Sequence, residues 1–134
     1  MTRNKIVVRY LNGEIFKGQT SNFLPAKPAF HLCPVGTSTE DSPFEVQVSQ
    51  LKAVFFVKDF HGNPKRQDVQ EFPRGKAVIG RKVKVTFSDG ETMVGTTQSY
   101  NACHPGFFLF PADANSNNDR CFVVRNATQN ISFL

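Results

Sequence analysis

Tryptophan is absent from this chain, tyrosine and methionine occur twice each, and cysteine occurs three times. Three thiols (Cys33, Cys103, Cys121) leave one over under any pairing, which excludes a disulfide-stapled scaffold and suits a reducing compartment. No apolar run of signal-peptide length follows Met1-Thr2-Arg3-Asn4-Lys5, so secretion is not expected. The longest apolar stretch, Ala53-Val54-Phe55-Phe56-Val57, is about a quarter of the ~20 residues that a membrane helix needs. A cytoplasmic protein with no membrane partner is the expectation. The glycosylation patterns at Asn126-Ala127-Thr128 and Asn130-Ile131-Ser132 then carry little meaning.

Chemistry-bearing constellations are equally scarce. Gly75-Lys76-Ala77-Val78-Ile79-Gly80 lacks the spacing and the closing Lys-Ser/Thr of a phosphate loop. Arg74 with Arg81, and Arg120 with Arg125, miss the R-x₃-R spacing of a cyclic-nucleotide reader. A zinc site wants paired ligands at short spacing, whereas Cys103-His104 are adjacent and Cys121 lies far beyond. No metal and no other cofactor is expected. A nucleophile would need Cys103 beside His104, His31 or His61, and no catalytic signature accompanies them. Carboxylate pairs would have to come from Glu14, Asp89, Glu91 or Asp113, and turn chemistry already accounts for Asp89. The chain reads as a non-enzyme.

What is abundant is phenylalanine, 14 of 134 residues, in a chain 40% hydrophobic and 20% charged. Each Phe can bury about 150–250 Å², so there is ample material for a core. The length fits one ordinary domain or two very small ones.

The chain also repeats itself. Laid over residues 82–134 without gaps, residues 5–57 give twelve identities in 53 positions, at an offset of 77. Lys5, Val8, Gly13, Glu14, Gly18 and Thr20 fall on Lys82, Val85, Gly90, Glu91, Gly95 and Thr97. Pro28, Phe30, Leu32 and Pro34 fall on Pro105, Phe107, Leu109 and Pro111, and Val46 and Phe56 on Val123 and Phe133. Coincident glycines and prolines point to a duplication. Phenylalanine divides as six, two and six between the first copy, the connector and the second copy.

Each copy reads as five short strands. Val83, Val85 and Phe87 alternate with Lys84 and Thr86, the pattern of a half-buried strand. Asp89-Gly90 is hairpin-turn chemistry, Thr92–Val94 continues, and Gly95 marks a bulge or sharp bend. Phe107–Phe110, Cys121–Val124 and Asn130–Leu134 complete the set. The first copy offers Ile6–Tyr10, the Asn12-Gly13 turn, Glu14–Thr20 with Gly18, Phe30–Cys33, Phe44–Val48 and Ala53–Val57. Cys33 aligns with Phe110 and is expected to fill a core slot. Residues 58–81 form a connector with turn chemistry at Gly62-Asn63-Pro64 and Pro73-Arg74-Gly75. Lys65–Phe72 could make a helical turn or two, and Phe60 and Phe72 should pack the connector on the sheet.

A five-stranded unit with alternating apolar residues, an Asp-Gly turn and a mid-strand glycine resembles the Sm-like fold. Val83, Val85, Phe87, Asp89, Gly90, Gly95, Leu109 and Val123-Val124-Arg125-Asn126 through Ile131 carry the likeness. In the first copy Val8, Tyr10, Asn12, Gly13, Gly18 and Leu32 carry it. The loops by which Sm proteins hold RNA read differently here, as Leu24-Pro25-Ala26-Lys27-Pro28, Asn101-Ala102-Cys103-His104-Pro105 and Arg125-Asn126-Ala127. The chain also resembles an uncharacterised bacterial family whose members carry a tandem repeat, through segments like Leu51–Phe60 and Gly106–Asp113. That likeness implies no activity.

The expected architecture is all-β: two five-stranded Sm-like or SH3-like small barrels in tandem, packed with pseudo-two-fold symmetry around a Phe-rich interface. Residues 1–57 are the first repeat, 58–81 a basic linker and 82–134 the second repeat. A lone barrel of this size is marginal, and sharing a core relieves that. The net charge of +5 divides as +2, +3 and zero over these segments. Two partner classes follow. Open sheet edges would template a protein partner or self-association. The alternative is RNA or single-stranded nucleic acid on Lys58, Lys65, Arg66, Arg74, Lys76, Arg81 and Arg125, with Phe60 and His61 as stacking groups.

Overall fold

The computed structural model describes residues 4–34, 43–60, 72, 79–98, 100, 103–113 and 116–134. Strands β1 (Asn4–Tyr10), β2 (Ile15–Thr20), β3 (Ala29–Pro34) and β4 (Phe44–Gln47) lead through a 3-10 turn (Val48–Gln50) into β5 (Leu51–Val57). Then come β6 (Arg81–Phe87), β7 (Thr92–Thr97), β8 (Gly106–Pro111), β9 (Asn118–Val124), a second 3-10 turn (Arg125–Ala127) and β10 (Thr128–Phe133). A shift of 77 residues carries β1, β2, β3 and the first 3-10 turn onto β6, β7, β8 and the second, boundary for boundary. β4 lands inside β9, and β5 lands on β10 to within one residue.

All neighbours are antiparallel, in one open sheet of order β10-β6-β7-β8-β9-β5-β1-β2-β3-β4. Each half has its fifth strand beside its first. The halves meet where β5 pairs with β9, with Ala53 opposite Val123, Val54 opposite Phe122 and Phe55 opposite Cys121. β5 is thus bonded on both sides, to β1 and to β9, and all seven of its residues are buried. Burial on both faces is why this strand reads as an unbroken apolar run instead of alternating.

The expected two-fold relation is corrected by this pairing. A two-fold axis that pairs β5 with β9 must also pair their equivalents, β10 with β4. Those two strands instead lie at opposite ends of the sheet. The halves therefore join head to tail.

Two cores flank the joint, and both draw on both halves. One gathers Val83, Val85, Phe87, Met93, Phe107, Leu109, Cys121 and Val123 with Ala53, Phe55 and Val57 from β5. The other gathers Ile6, Val8, Phe30, Leu32, Val46, Val54 and Phe56 with Phe122 and Val124 from β9. The phenylalanines do concentrate at the joint. Phe23 stacks edge to face on Phe30, Phe56, Phe108 and Phe122 at centroid distances of 5.0, 5.5, 5.9 and 4.9 Å. The guanidinium of Arg120 lies 4.3 Å from the Phe56 ring centre and 5.1 Å from that of Phe108.

One of the two readings of Gly95 falls away, and the expectation for Cys33 changes. The β6–β7 register runs through Gly95 without a shift, so no bulge is present against β6. The glycine is needed because a Cβ there would stand 2.1 Å from the Phe110 carbonyl oxygen. Cys33 is half-buried instead of filling a core slot, because strand alternation gives that place to Leu32. Phe60 packs against the core as expected, and Phe72 lies under the Lys82 ammonium at 4.9 Å. The helical reading of residues 65–71 falls outside the described residues.

Candidate functional site

Two hairpin turns stand at one end of the sheet. Gly13 and Gly90 adopt φ of +95° and +93°, which L-residues resist. Asn12 Oδ1 accepts the Glu14 N–H at 2.9 Å, and Asp89 Oδ1 accepts the Glu91 N–H at 3.0 Å. This is the hydrogen-bonding reason for Asn or Asp before a turn glycine.

Lys52 sits between the turns. The whole residue is 8% exposed, yet it lies within the apolar β5. Its ammonium donates to Asp89 Oδ2 at 2.7 Å and Glu91 Oε1 at 2.9 Å, and lies 4.8 Å from the Phe87 ring centre. A buried cation needs such partners. This clamp ties the first half to the second, and it was missed in reading Asp89 as turn chemistry alone. The signal was a lysine inside a buried strand.

The Lys52 hydrogen bond, helped by the Glu91 N–H, lowers the Asp89 carboxyl below the ordinary carboxylate value. A depressed folded pKa contributes stability above the unfolded value, and loses it as pH falls through the folded one. Asp89→Asn should therefore be less stable than the parent near neutrality. The difference should close below about pH 4 in urea melts taken across pH. Lys52→Met should cost about 1–2 kcal/mol at neutral pH, modest because both acids are half-exposed.

A groove of about 450 Å³ runs beside the clamp. Tyr10, Leu11 and Ile15 line one side, Phe87 and Ser88 the other, with Lys52 and Ala127 between. A second hollow of about 400 Å³ is lined by Pro28, Val48, Cys103, His104, Pro105 and Arg125, among others.

The proposed nucleic-acid residues divide. At the end of the sheet away from the hairpin turns, the Lys58 N–H donates to the Asn117 carbonyl at 2.9 Å. Asn117 also brackets the Asp59 backbone, accepting its N–H at 3.0 Å and donating to its carbonyl at 2.8 Å. Lys17 Nζ donates to the Phe60 carbonyl at 2.9 Å, and the Lys5 ammonium lies 5.9 Å from the Phe60 ring centre. The guanidinium of Arg81 lies 3.9 Å from the Phe133 ring centre. Lys5 and Lys17 were not foreseen there, because only the fold brings residues 17 and 60 together. Arg125 is separate. It follows the far end of β9 from Lys58, about 20 Å along the strand. Its Nη1 donates to the His104 carbonyl at 3.5 Å. His61, Lys65, Arg66, Arg74 and Lys76 fall outside the described residues.

Of the described thiols and imidazoles, Cys103 and His104 share the second hollow, and His31, Cys33 and Cys121 lie outside it. Cys121 is fully buried, and burial pushes its thiol pKa far up, so it is no nucleophile. Cys103 is exposed. His31 Nδ1 lies 3.0 Å from Asn22 Nδ2, and its N–H donates to Asn22 Oδ1 at 3.0 Å, which fixes β3 to the preceding loop. Among the described residues, no three His, Cys, Asp or Glu are grouped to hold a metal ion. Among the same residues, no helix is long and apolar enough to cross a membrane.

The molecule is thus an all-β protein built on one open ten-stranded antiparallel sheet, with grooves at its turn ends. Residues 2–134 match the model of a family of unknown function, DUF6982, and the chain belongs to that family. No curated protein and no solved structure matches it.

Proposed function

We propose that the chain is a non-enzymatic interaction module, two Sm-like barrel units in tandem, that binds a protein partner through its sheet edges. The observation that carries this reading is that β10 and β4, at the ends of the sheet, each have one side unpaired among the described residues. An unpaired edge presents a row of N–H and C=O groups that a partner strand can satisfy. The 77-residue correspondence of the strands supports the duplication.

Photo-crosslinking side chains placed at Glu45 on β4 and at Gln129 on β10, with Lys84 as a control off the edges, test this in the protein's own host. Protein adducts at an edge position and none at Lys84 are expected. No adduct at either edge overturns the reading. So does substrate turnover by the purified protein that is lost on changing Cys103, His31 or His104.

A second reading is single-stranded nucleic acid at the strand ends where Lys5 and Lys17 contact Phe60, two residues beyond Lys58, and where Arg81 lies over Phe133. Binding of a labelled oligouridylate should then weaken with salt, and Lys58→Glu with Arg81→Glu should flatten the slope. No binding at low salt removes it.

A further inference from the structure

We infer that the free edge of β4 is a strand-addition site for an extended segment patterned like β5. That pattern is a cation followed by small or apolar residues at the first, third and fifth positions after it. The inference rests on the edge-binding reading and names its site and partner.

The joint inside the molecule supplies the template. β5 lies along β9, and beside it the row Phe87, Met93 and Cys121 is sealed, at 0%, 8% and 0% exposure. Ala53, Phe55 and Val57 belong to the same core as that row. Lys52, one residue before, clamps Asp89 and Glu91 over the Phe87 ring.

The equivalent surface of the first half, 77 residues earlier, carries no covering strand among the described residues. The row becomes Tyr10, Phe16 and Phe44, stacked edge to face at 5.6 and 5.5 Å. Phe16 is 38% exposed, where its counterpart Met93 is buried. Leu11, 54% exposed, extends the apolar surface where the second half has Ser88. Asn12 and Glu14 stand where Asp89 and Glu91 stand. Among the described residues, no cation sits on Glu14. The surface therefore offers what the joint offers: a strand edge, an apolar row and an acid at the turn.

Among the described residues, no strand pairs with the outer side of β4. The Val48 N–H bonds to the Pro28 carbonyl, so alternation turns Phe44 and Val46 toward β3. Glu45 and Gln47 then direct their N–H and C=O groups to the open side. Pro43 lacks one donor, which shortens the ladder by one bond without closing the edge.

A second copy's β10 is the wrong occupant. By the same offset it would place Gln129, Asn130 and Ser132 where β5 has Lys52, Ala53 and Phe55. It would bring no cation, and polar side chains onto an aromatic row. The partner is thus a different chain with the β5 pattern. Phe44 is larger than Cys121 and takes part of the room that Phe55 fills at the joint, so the third position should be small.

The probe is a fluorescent peptide of residues 50–58 carrying Phe55→Val. Saturable binding to the full chain is expected, weakened tenfold or more by Phe16→Ser and by Glu14→Lys. A peptide with Lys52→Glu should recover affinity for the Glu14→Lys protein. At the joint, Lys58 donates toward β9, so the amides of residues 54 and 56 also face it. N-methylation at 54 and 56 should abolish binding, and N-methylation at 53 and 55 should not. Absence of binding overturns the inference, as does binding indifferent to both protein substitutions. So does a concentration-dependent dimer in sedimentation that Phe16→Ser abolishes, since the occupant would then be a second copy. Crosslinks at Glu45 without peptide binding overturn this inference and leave the edge-binding reading standing. Failure of both experiments removes both.

Discussion

Phe122→Ala is expected to cost about 3–5 kcal/mol and to unfold both halves together. Phe122 is fully buried, lies opposite Val54 across the joint and stacks on Phe23 and Phe108 at 4.9 and 5.4 Å. Truncation removes these ring contacts and leaves a cavity among side chains of both halves, where collapse is restricted from two sides. The two tyrosines make the measurement selective, because Tyr10 packs against one core and Tyr100 against the other. Guanidinium melts of Tyr10→Phe and Tyr100→Phe, each with and without Phe122→Ala, then report one half at a time. The expected result is a shared loss at one lowered midpoint. A midpoint that falls for the Tyr10 signal and stays for the Tyr100 signal would show that the joint does not couple the halves.

Gly95→Ala should cost about 3 kcal/mol, nearly as much as losing a buried aromatic ring. The added methyl would meet the Phe110 carbonyl oxygen at 2.1 Å and Leu109 Cδ2 at 2.7 Å. The oxygen belongs to the backbone of the neighbouring strand, so relief requires β7 and β8 to separate, beyond ordinary overpacking by a methylene. Gly13→Ala is the control. Its Cβ would meet nothing within 4 Å, so only the positive φ opposes it, at about 1–2 kcal/mol. Thermal melts of the two variants should therefore rank Gly95→Ala well below Gly13→Ala. Equal losses would mean that conformational freedom alone explains both glycines.

The strands were legible because their signals are local. Val83, Val85 and Phe87 alternate, and Asn12-Gly13 and Asp89-Gly90 turn, for reasons held within a few residues. The pairing of β5 with β9 was not legible. It joins residues more than sixty positions apart, and nothing in Ala53–Val57 says which edge will meet it. The apolar run did say that the strand is covered on both faces. Lys52 could have been read further, since a lysine in a buried strand demands an acid, and Asp89 and Glu91 supply it. The gathering of Lys5 and Lys17 around Phe60 had no sequence signal. The candidate site drew least from the sequence, because the exposure of Phe16 beside a buried Met93 appears only when the halves are compared in place.

The sharing of β5 also orders events in time. The strand is complete once residue 57 has been made, whereas β9 ends at Val124, 67 residues later. At about 5–20 residues per second, a growing chain carries β5 with one side unpaired for about 3–13 s. During that interval the most apolar strand in the molecule is an open template. Its natural occupant is still being synthesised on the same ribosome, so each chain must guard its own seam before it can close it.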